Sequence, residues 1–260
     1  MGASILNEQQ ILAFVLVFLR IGAMLIMIPV IGEATVPARV KAGLALMISL
    51  IVCPSVPVDV APLRAEAGIY TLAGAMIGEV MIGITLGFAA KIVFAGIQFA
   101  GDMIGVQMGF AIANIIDPVS RVQTSLMAEF QYLIAALVYL AIDGHHIFIY
   151  AIADSYRLIA PFGYHFSGPL MDAMIRFSSG LFSVAVKISA PVMAVLLFTN
   201  VALGIVARTV PQINVFIVGF PVQIAAGLLF VGLTVPIFVK LVQRAMTGLT
   251  TEVHVLLRLM

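Results

Sequence analysis

Residues 101–120 read GDMIGVQMGFAIANIIDPVS, and they govern how the rest of the chain is understood. Gly101, Gly105 and Gly109 recur at every fourth position, Gln107 and Asn114 are amides, and Asp117-Pro118 is a turn signal. A solvated loop would be more polar, and a clean membrane helix would not break at Asp117-Pro118. Backbone of this mixed kind is tolerated at membrane depth only inside protein or along a cavity. The stretch therefore points to a lumen or a gate.

Membrane depth is set by composition. Hydrophobic residues make up 63% of the 260 and charged residues 10%, against roughly a quarter charged in soluble domains. Mean hydropathy is +1.19. So few charges cannot cover that much apolar surface in water, so an integral membrane protein is expected. The net charge of +1 argues against a nucleic-acid partner. Cys53 is the single cysteine, which excludes intrachain disulfides and cysteine-cluster metal sites. Trp is absent, leaving Tyr as the polar-tipped aromatic for an interfacial belt. The first basic residue, Arg20, lies within the first apolar run, so that run does not read as a secretory signal.

Working outward from residues 101–120, apolar runs cover 11–31, 42–53, 69–100, 126–142, 147–160, 181–207 and 215–239. Roughly 20 helical residues cross a bilayer. Two runs are short for a crossing, and the last two carry Pro191, Pro221 and Pro236. Basic residues give conflicting orientations: Arg208 and Lys240 flank one span, and both cannot lie on the positive-inside face. A conventional serpentine topology is therefore not expected. The Pro- and Gly-rich stretch 161–169 is the best internal boundary. Beyond it a helix is expected from Asp172 to Arg208, stopped by Pro211, then a turn through Gln212, and a second helix from Val215 with Asn214 as its N-cap.

Gly74, Gly78, Gly83 and Gly87 form two GxxxG units on one helix. At about 100° per residue the second pair faces roughly opposite the first, so the helix can be gripped on two sides. Arg20, Glu79, Lys91, Glu129 and Lys187 interrupt apolar runs. Charges there must face protein or water. They read as interhelix or intersubunit pairs rather than as a proton relay, since no acidic pair or His–carboxylate cluster accompanies them. Asp143-Gly-His-His146 carries metal-ligating residue types, but adjacent histidines diverge on a helix and no other His/Glu pair has ligand spacing. Asp143 reads better as an N-cap, and neither metal nor cofactor is expected. No nucleophile elbow, phosphate loop or protease dyad appears, so no catalytic residue is assigned and no enzyme is expected.

Two motifs narrow this further. Gly105-Val-Gln-Met-Gly-Phe-Ala with Asp117-Pro118, and the block from Ala207 through Arg208, Pro211, Gln212, Asn214, Phe216 and Gly219 to Pro221, resemble the R-subunit family of the flagellar export gate, shared with virulence type III secretion. Asp143-Gly-His-His146, residues 155–161 and Ser189-Ala-Pro191 fit the same pattern, and the likeness covers nearly the whole chain. It favours the flagellar branch. The resemblance implies an all-α subunit of a helical export gate in the bacterial inner membrane at the flagellar basal body, built with P-type and Q-type subunits and the export-switch membrane subunit around a pore for unfolded flagellar substrates. It divides the chain into a P-like part, 1–168, and a Q-like helical hairpin, 169–260. Its plug loop maps onto about 105–120, which makes Gln107, Met108, Gly109, Phe110, Ile112, Asn114, Ile115, Ile116, Asp117 and Pro118 the gate residues. Gln223 departs from the Lys found in many relatives, so a salt bridge there is in doubt. The rival expectation is a small-solute secondary transporter, which needs paired broken helices around a midplane site.

Overall fold

The structure, a computed structural model, describes residues 8–55, 68–110, 125–159, 163–210, 212 and 214–260. Their regular structure is entirely helical: α1 (Glu8–Met27), α2 (Ala38–Val52, followed by a 3-10 turn Cys53–Ser55), α3 (Ile69–Gln107), α4 (Leu126–Ala141), α5 (Gly144–Leu158), α6 (Gly168–Thr209) and α7 (Val215–Leu259). Five of these helices are long and apolar enough to cross a membrane, or six if α4 and α5 together make one broken span. The expected all-α membrane class is borne out. Helices α3, α6 and α7 hold 39, 42 and 45 residues. At 1.5 Å per residue each is about twice as long as the ~30 Å hydrocarbon layer requires.

Helix ends follow local chemistry. Helix α1 stops at Met27 because Ile28 precedes Pro29, and a residue before proline is pushed out of the helical region. Val30 then takes a positive φ of 71°, and the Gly32 N–H donates back to the Ile28 carbonyl at 2.7 Å. Helix α6 begins at Gly168 rather than at the expected Asp172. Ser167 is the reason: its Oγ accepts the Leu170 N–H at 3.2 Å as an N-cap. Pro169 marked a boundary in the sequence, but in a first turn its missing N–H breaks no helical bond. Pro191, Pro221 and Pro236 lie inside α6 and α7 without ending them; membrane helices accept such residues because neighbouring groups re-satisfy the freed carbonyl.

Contacts group the chain into two units, one of residues 1–92, 143–178 and 247–260, the other of residues 93–142 and 179–246. Helices α3, α6 and α7 contribute to both.

The first unit is organised by a seam between α1 and α3. Leu16 packs with Ala75, Arg20 bonds Glu79, and Met24 lies against Gly83, a constant offset of 59 positions. The two helices therefore run parallel and in register. Glycine makes the approach feasible. A Cβ on Gly83 would lie 2.3 Å from the Arg20 carbonyl oxygen, and one on Gly87 would lie 2.5 Å from the Met27 Cβ. Of the two opposed glycine pairs, this one is filled from within the chain. On the other, a Cβ on Gly78 would lie 3.4 Å from the Tyr164 Cβ, an ordinary contact, and one on Gly74 would meet open space. Elsewhere in this unit the Ser167 hydroxyl donates to the Leu259 carbonyl at 3.0 Å, and the His165 N–H donates to the Met260 carbonyl at 2.8 Å.

In the second unit Phe94 sets its ring edge-on to Tyr132 and Tyr139, at 5.5 and 5.8 Å between centroids. Gly96 approaches the Leu181 carbonyl so closely that a Cβ would lie 3.0 Å from it. The α3–α6 contact is thus made through backbone, without an intervening side chain.

The α1–α3 seam predicts opposite outcomes for two glycines of one helix. Gly83→Val should lower stability by about 1–3 kcal/mol or more through overpacking against backbone, read as a fall in the thermal midpoint of the detergent-solubilised protein. Gly74→Ala should leave it unchanged or raise it slightly, since alanine is favoured in a helix by about 1 kcal/mol.

Candidate functional site

The site is built around the end of α3, where the candidate gate segment begins. The helix ends at Gln107, and Gly109 has φ +91°. The Gly109 N–H donates to the Val106 carbonyl at 3.0 Å, and the Phe110 N–H donates to the Gly105 carbonyl at 3.1 Å. This pair of bonds is a left-handed glycine C-cap, which satisfies carbonyls that would otherwise be orphaned at the helix end. Gly109 is required twice, because a Cβ there would also lie 2.9 Å from the Phe220 ring.

The other two glycines of the motif have a different task from the mobility their type suggests. A Cβ on Gly101 would lie 2.4 Å from the Ala128 Cα, and one on Gly105 would lie 2.6 Å from the Ser125 Oγ. They bring the last turns of α3 against the first turn of α4. Ser125 caps that turn, accepting the Ala128 N–H at 3.4 Å. The described residues on either side of segment 111–124 are thereby held next to each other.

Met108 anchors the arrangement. It is fully buried, in a cluster with Ile104, Met127, Val192, Leu196 and Val231, and Phe110 and Ile224 pack on its edge. Its floor is Gly227, where a Cβ would lie 2.6 Å from the Met108 Cγ and 2.7 Å from its Sδ. Phe220, Ile224, Gly227 and Val231 follow the i, i+4, i+7, i+11 spacing of one helical face, so α7 presents a continuous seat. At its edge Gln223 Nε2 donates to Asn200 Oδ1 on α6. A neutral amide pair thus ties α6 to α7 beside Gly109, with no ion pair from Gln223.

The charged part of the structure is a clamp in the first unit. Arg20 Nε and Nη2 donate to the two carboxylate oxygens of Glu79 at 2.5 and 3.0 Å. Nη1 donates to Ser155 Oγ at 2.8 Å, and Nη2 reaches the Ile159 carbonyl at 3.5 Å. The Ser155 hydroxyl in turn donates to the Ile152 carbonyl at 2.7 Å. The guanidinium carbon lies 3.8 Å above the Tyr156 ring, a favourable cation–π placement. Arg20 and Glu79 are 0% and 1% exposed, so this clamp joins α1, α3 and α5 without access to solvent or lipid.

Comparison with known proteins identifies the family. Residues 11–249 match the bacterial export proteins, family 1. The chain belongs to this family. It is 34% identical over 220 residues to the flagellar biosynthetic protein FliR of Pectobacterium carotovorum subsp. carotovorum, covering 85% of this chain and 83% of that protein. It is 36% identical over 218 residues to FliR of Bacillus subtilis (strain 168), at 83% of each chain. With FliR of Escherichia coli (strain K12) the identity is 30% over 219 residues, 84% of this chain and 82% of that one. The resemblance read from the glycine and Pro-Gln-Ile-Asn motifs is borne out.

Within this family member, the sequence-derived residues fall as follows. Gln107, Met108, Gly109 and Phe110 meet at the α3 terminus, whereas Ile112, Asn114, Ile115, Ile116, Asp117, Pro118 and Pro211 lie outside the described residues. Arg208 occupies the exposed last turn of α6, and Gln212 is exposed. The carbonyl of Asn214 accepts the Ile217 and Val218 N–H groups at the start of α7. Phe216 is in that first turn, Gly219 is buried and Pro221 exposed. Arg20 and Glu79 meet, while Lys91, Glu129 and Lys187 are exposed on this chain. Sequence reasoning missed Ser155, Tyr156, Asn200, Phe220 and Gly227. Of these, Ser155 and Tyr156 lay inside residues 155–161 and Phe220 inside the 207–221 block; nothing in the local pattern marks Asn200, or Gly227 apart from other helical glycines.

The clamp yields a prediction. Arg20→Met alone should cost about 3–5 kcal/mol, because it leaves the Glu79 carboxylate buried and unpaired. Arg20→Met with Glu79→Leu should recover a large part of that loss. The comparison is the thermal midpoint of the solubilised proteins, and a double variant no better than the single one would contradict the pairing.

Proposed function

We propose that this chain is a subunit of the flagellar protein export apparatus in the bacterial inner membrane, forming part of a pore wall and carrying the segment that closes the pore. The observation that carries the gate reading is the seating of Met108 on Gly227. This latch holds the start of the segment while Gly101 and Gly105 keep its two flanks together. The flanks of residues 111–124 lie side by side, an arrangement that suits a plug better than a linker. Apolar, adaptable side chains seal by packing and by excluding water.

Assembly with further subunits is supported by the surface. Lys91, Glu129 and Lys187 lie exposed in apolar helices, and such charges are costly against lipid. Neighbouring P-type and Q-type subunits, the export-switch membrane subunit, or an aqueous lumen would cover them. On this reading residues 1–168 are the P-like part and 169–260 the Q-like hairpin, and the cargo is unfolded flagellar protein. The chain supplies no energy and no chemistry of its own. A small-solute transporter would need open polar ligands around a cavity, and the Arg20–Glu79 pair is closed upon itself.

Co-expressed with P-type and Q-type subunits, the chain should purify in one stable complex. Deleting residues 109–116 should make that complex leaky to ions in a planar bilayer, and unchanged conductance would count against a seal. Gly227→Leu, which fills the Met108 seat without touching the segment, should raise basal conductance by a smaller amount. Purification of the chain alone, with ion-coupled solute uptake in liposomes, would favour the transporter instead.

A further inference from the structure

The stretch from Asp143 to His146 plays no part in the latch or the clamp. Asp143 stands at the N-cap position of α5, but with φ +54° and without the expected side-chain capping bond. Asp enters this left-handed region more readily than most residues, and here it leaves the carboxylate free of a capping role. The His146 N–H donates to the Asp143 carbonyl at 2.9 Å. Adjacent side chains leave a helix about 100° apart, yet the His145 and His146 rings lie 4.4 Å apart with 54° between their planes. A carboxylate oxygen of Asp143 and one ring nitrogen of each histidine all fall within 4.8 Å of one another. In addition, His145 Nδ1 is buried and has no hydrogen-bond partner.

We propose that Asp143, His145 and His146 form a binding site for a borderline divalent transition ion, Zn2+ above all. Two neutral imidazoles and a carboxylate are the donor set that such ions take. Metal–ligand bonds of about 2.0–2.2 Å require the donors to close to roughly 3.3 Å. Asp143 and His146 are both exposed, so their side chains turn inward without disturbing packing. A cation at a helix N-terminus meets the positive end of the macrodipole, a penalty of about 0.3–1 kcal/mol that the Asp143 carboxylate offsets. Three protein ligands leave one position for water. The ion would pin the first turn of α5 and give the left-handed Asp143 its purpose.

The test uses the full chain, co-expressed with its partner subunits, purified in detergent, stripped with a chelator and dialysed against Zn2+ or Co2+. Wild type should hold one more equivalent of Zn2+ per chain than His146→Ala, and should show visible Co2+ absorption that the variant lacks. Asp143→Gly relieves the positive φ, so it keeps the fold while deleting a ligand, and should weaken Zn2+ binding about tenfold or more. His165→Ala and His254→Ala should bind as wild type does. Equal Zn2+ content in wild type and His146→Ala, or unchanged affinity in Asp143→Gly, overturns the proposal.

Discussion

The arrangement of the first unit depends on one buried ion pair. Arg20 on α1 and Glu79 on α3 bond each other bidentately with no exposure to solvent. Breaking such a pair costs about 3–5 kcal/mol, whereas sliding α1 by a turn along α3 would cost little if only Leu, Ile and Ala faced each other. The pair therefore acts as a register pin. It works because Gly83, one turn beyond Glu79, lets the α1 backbone come close enough for the guanidinium to reach. Ser155, the Ile159 carbonyl and the Tyr156 ring then complete the shell from α5, so three sequence-distant helices are fixed by one side chain.

The fold class was legible because composition and run length are one-dimensional properties. A charged fraction of 10% and apolar runs of helical length demand membrane helices whatever their partners. Helix starts were less legible where a small polar residue decides them: Ser167 sets the start of α6 at Gly168, ahead of a proline that read as part of an internal boundary. The pairing of Arg20 with Glu79 was hidden for a different reason. Each reads as an isolated charge, and nothing local links positions 59 apart. The glycines of 101–109 were visible as a motif but not as three separate devices. Gly101 and Gly105 admit α4, and Gly109 alone takes a left-handed turn. Distinguishing these needs the neighbour's position, which the pattern does not contain.

Gln223 shows how a local departure is absorbed. Where the family resemblance leads one to expect a lysine, this chain places an amide against Asn200. Donor and acceptor match without charge, so the α6–α7 contact survives with no desolvation of an ion. The surroundings of Gly109 therefore receive no fixed charge from position 223.

The two halves of the proposed machinery are held by interactions of different strength, and the difference follows their tasks. The scaffold clamp is charged, buried and bidentate, so its loss is close to loss of the unit. The latch is a single methionine on a glycine floor, and exposing such a side chain to water costs about 1.5–3 kcal/mol. A gap of a few kcal/mol leaves a minor state at roughly 0.1–10%. A gate bound as tightly as Arg20 is bound would not open for cargo, and one with no seat would leak. Methionine suits the middle ground, because its flexible thioether fills an irregular seat and gives it up without breaking any hydrogen bond. On this argument the scaffold is specified by polarity and the gate by softness.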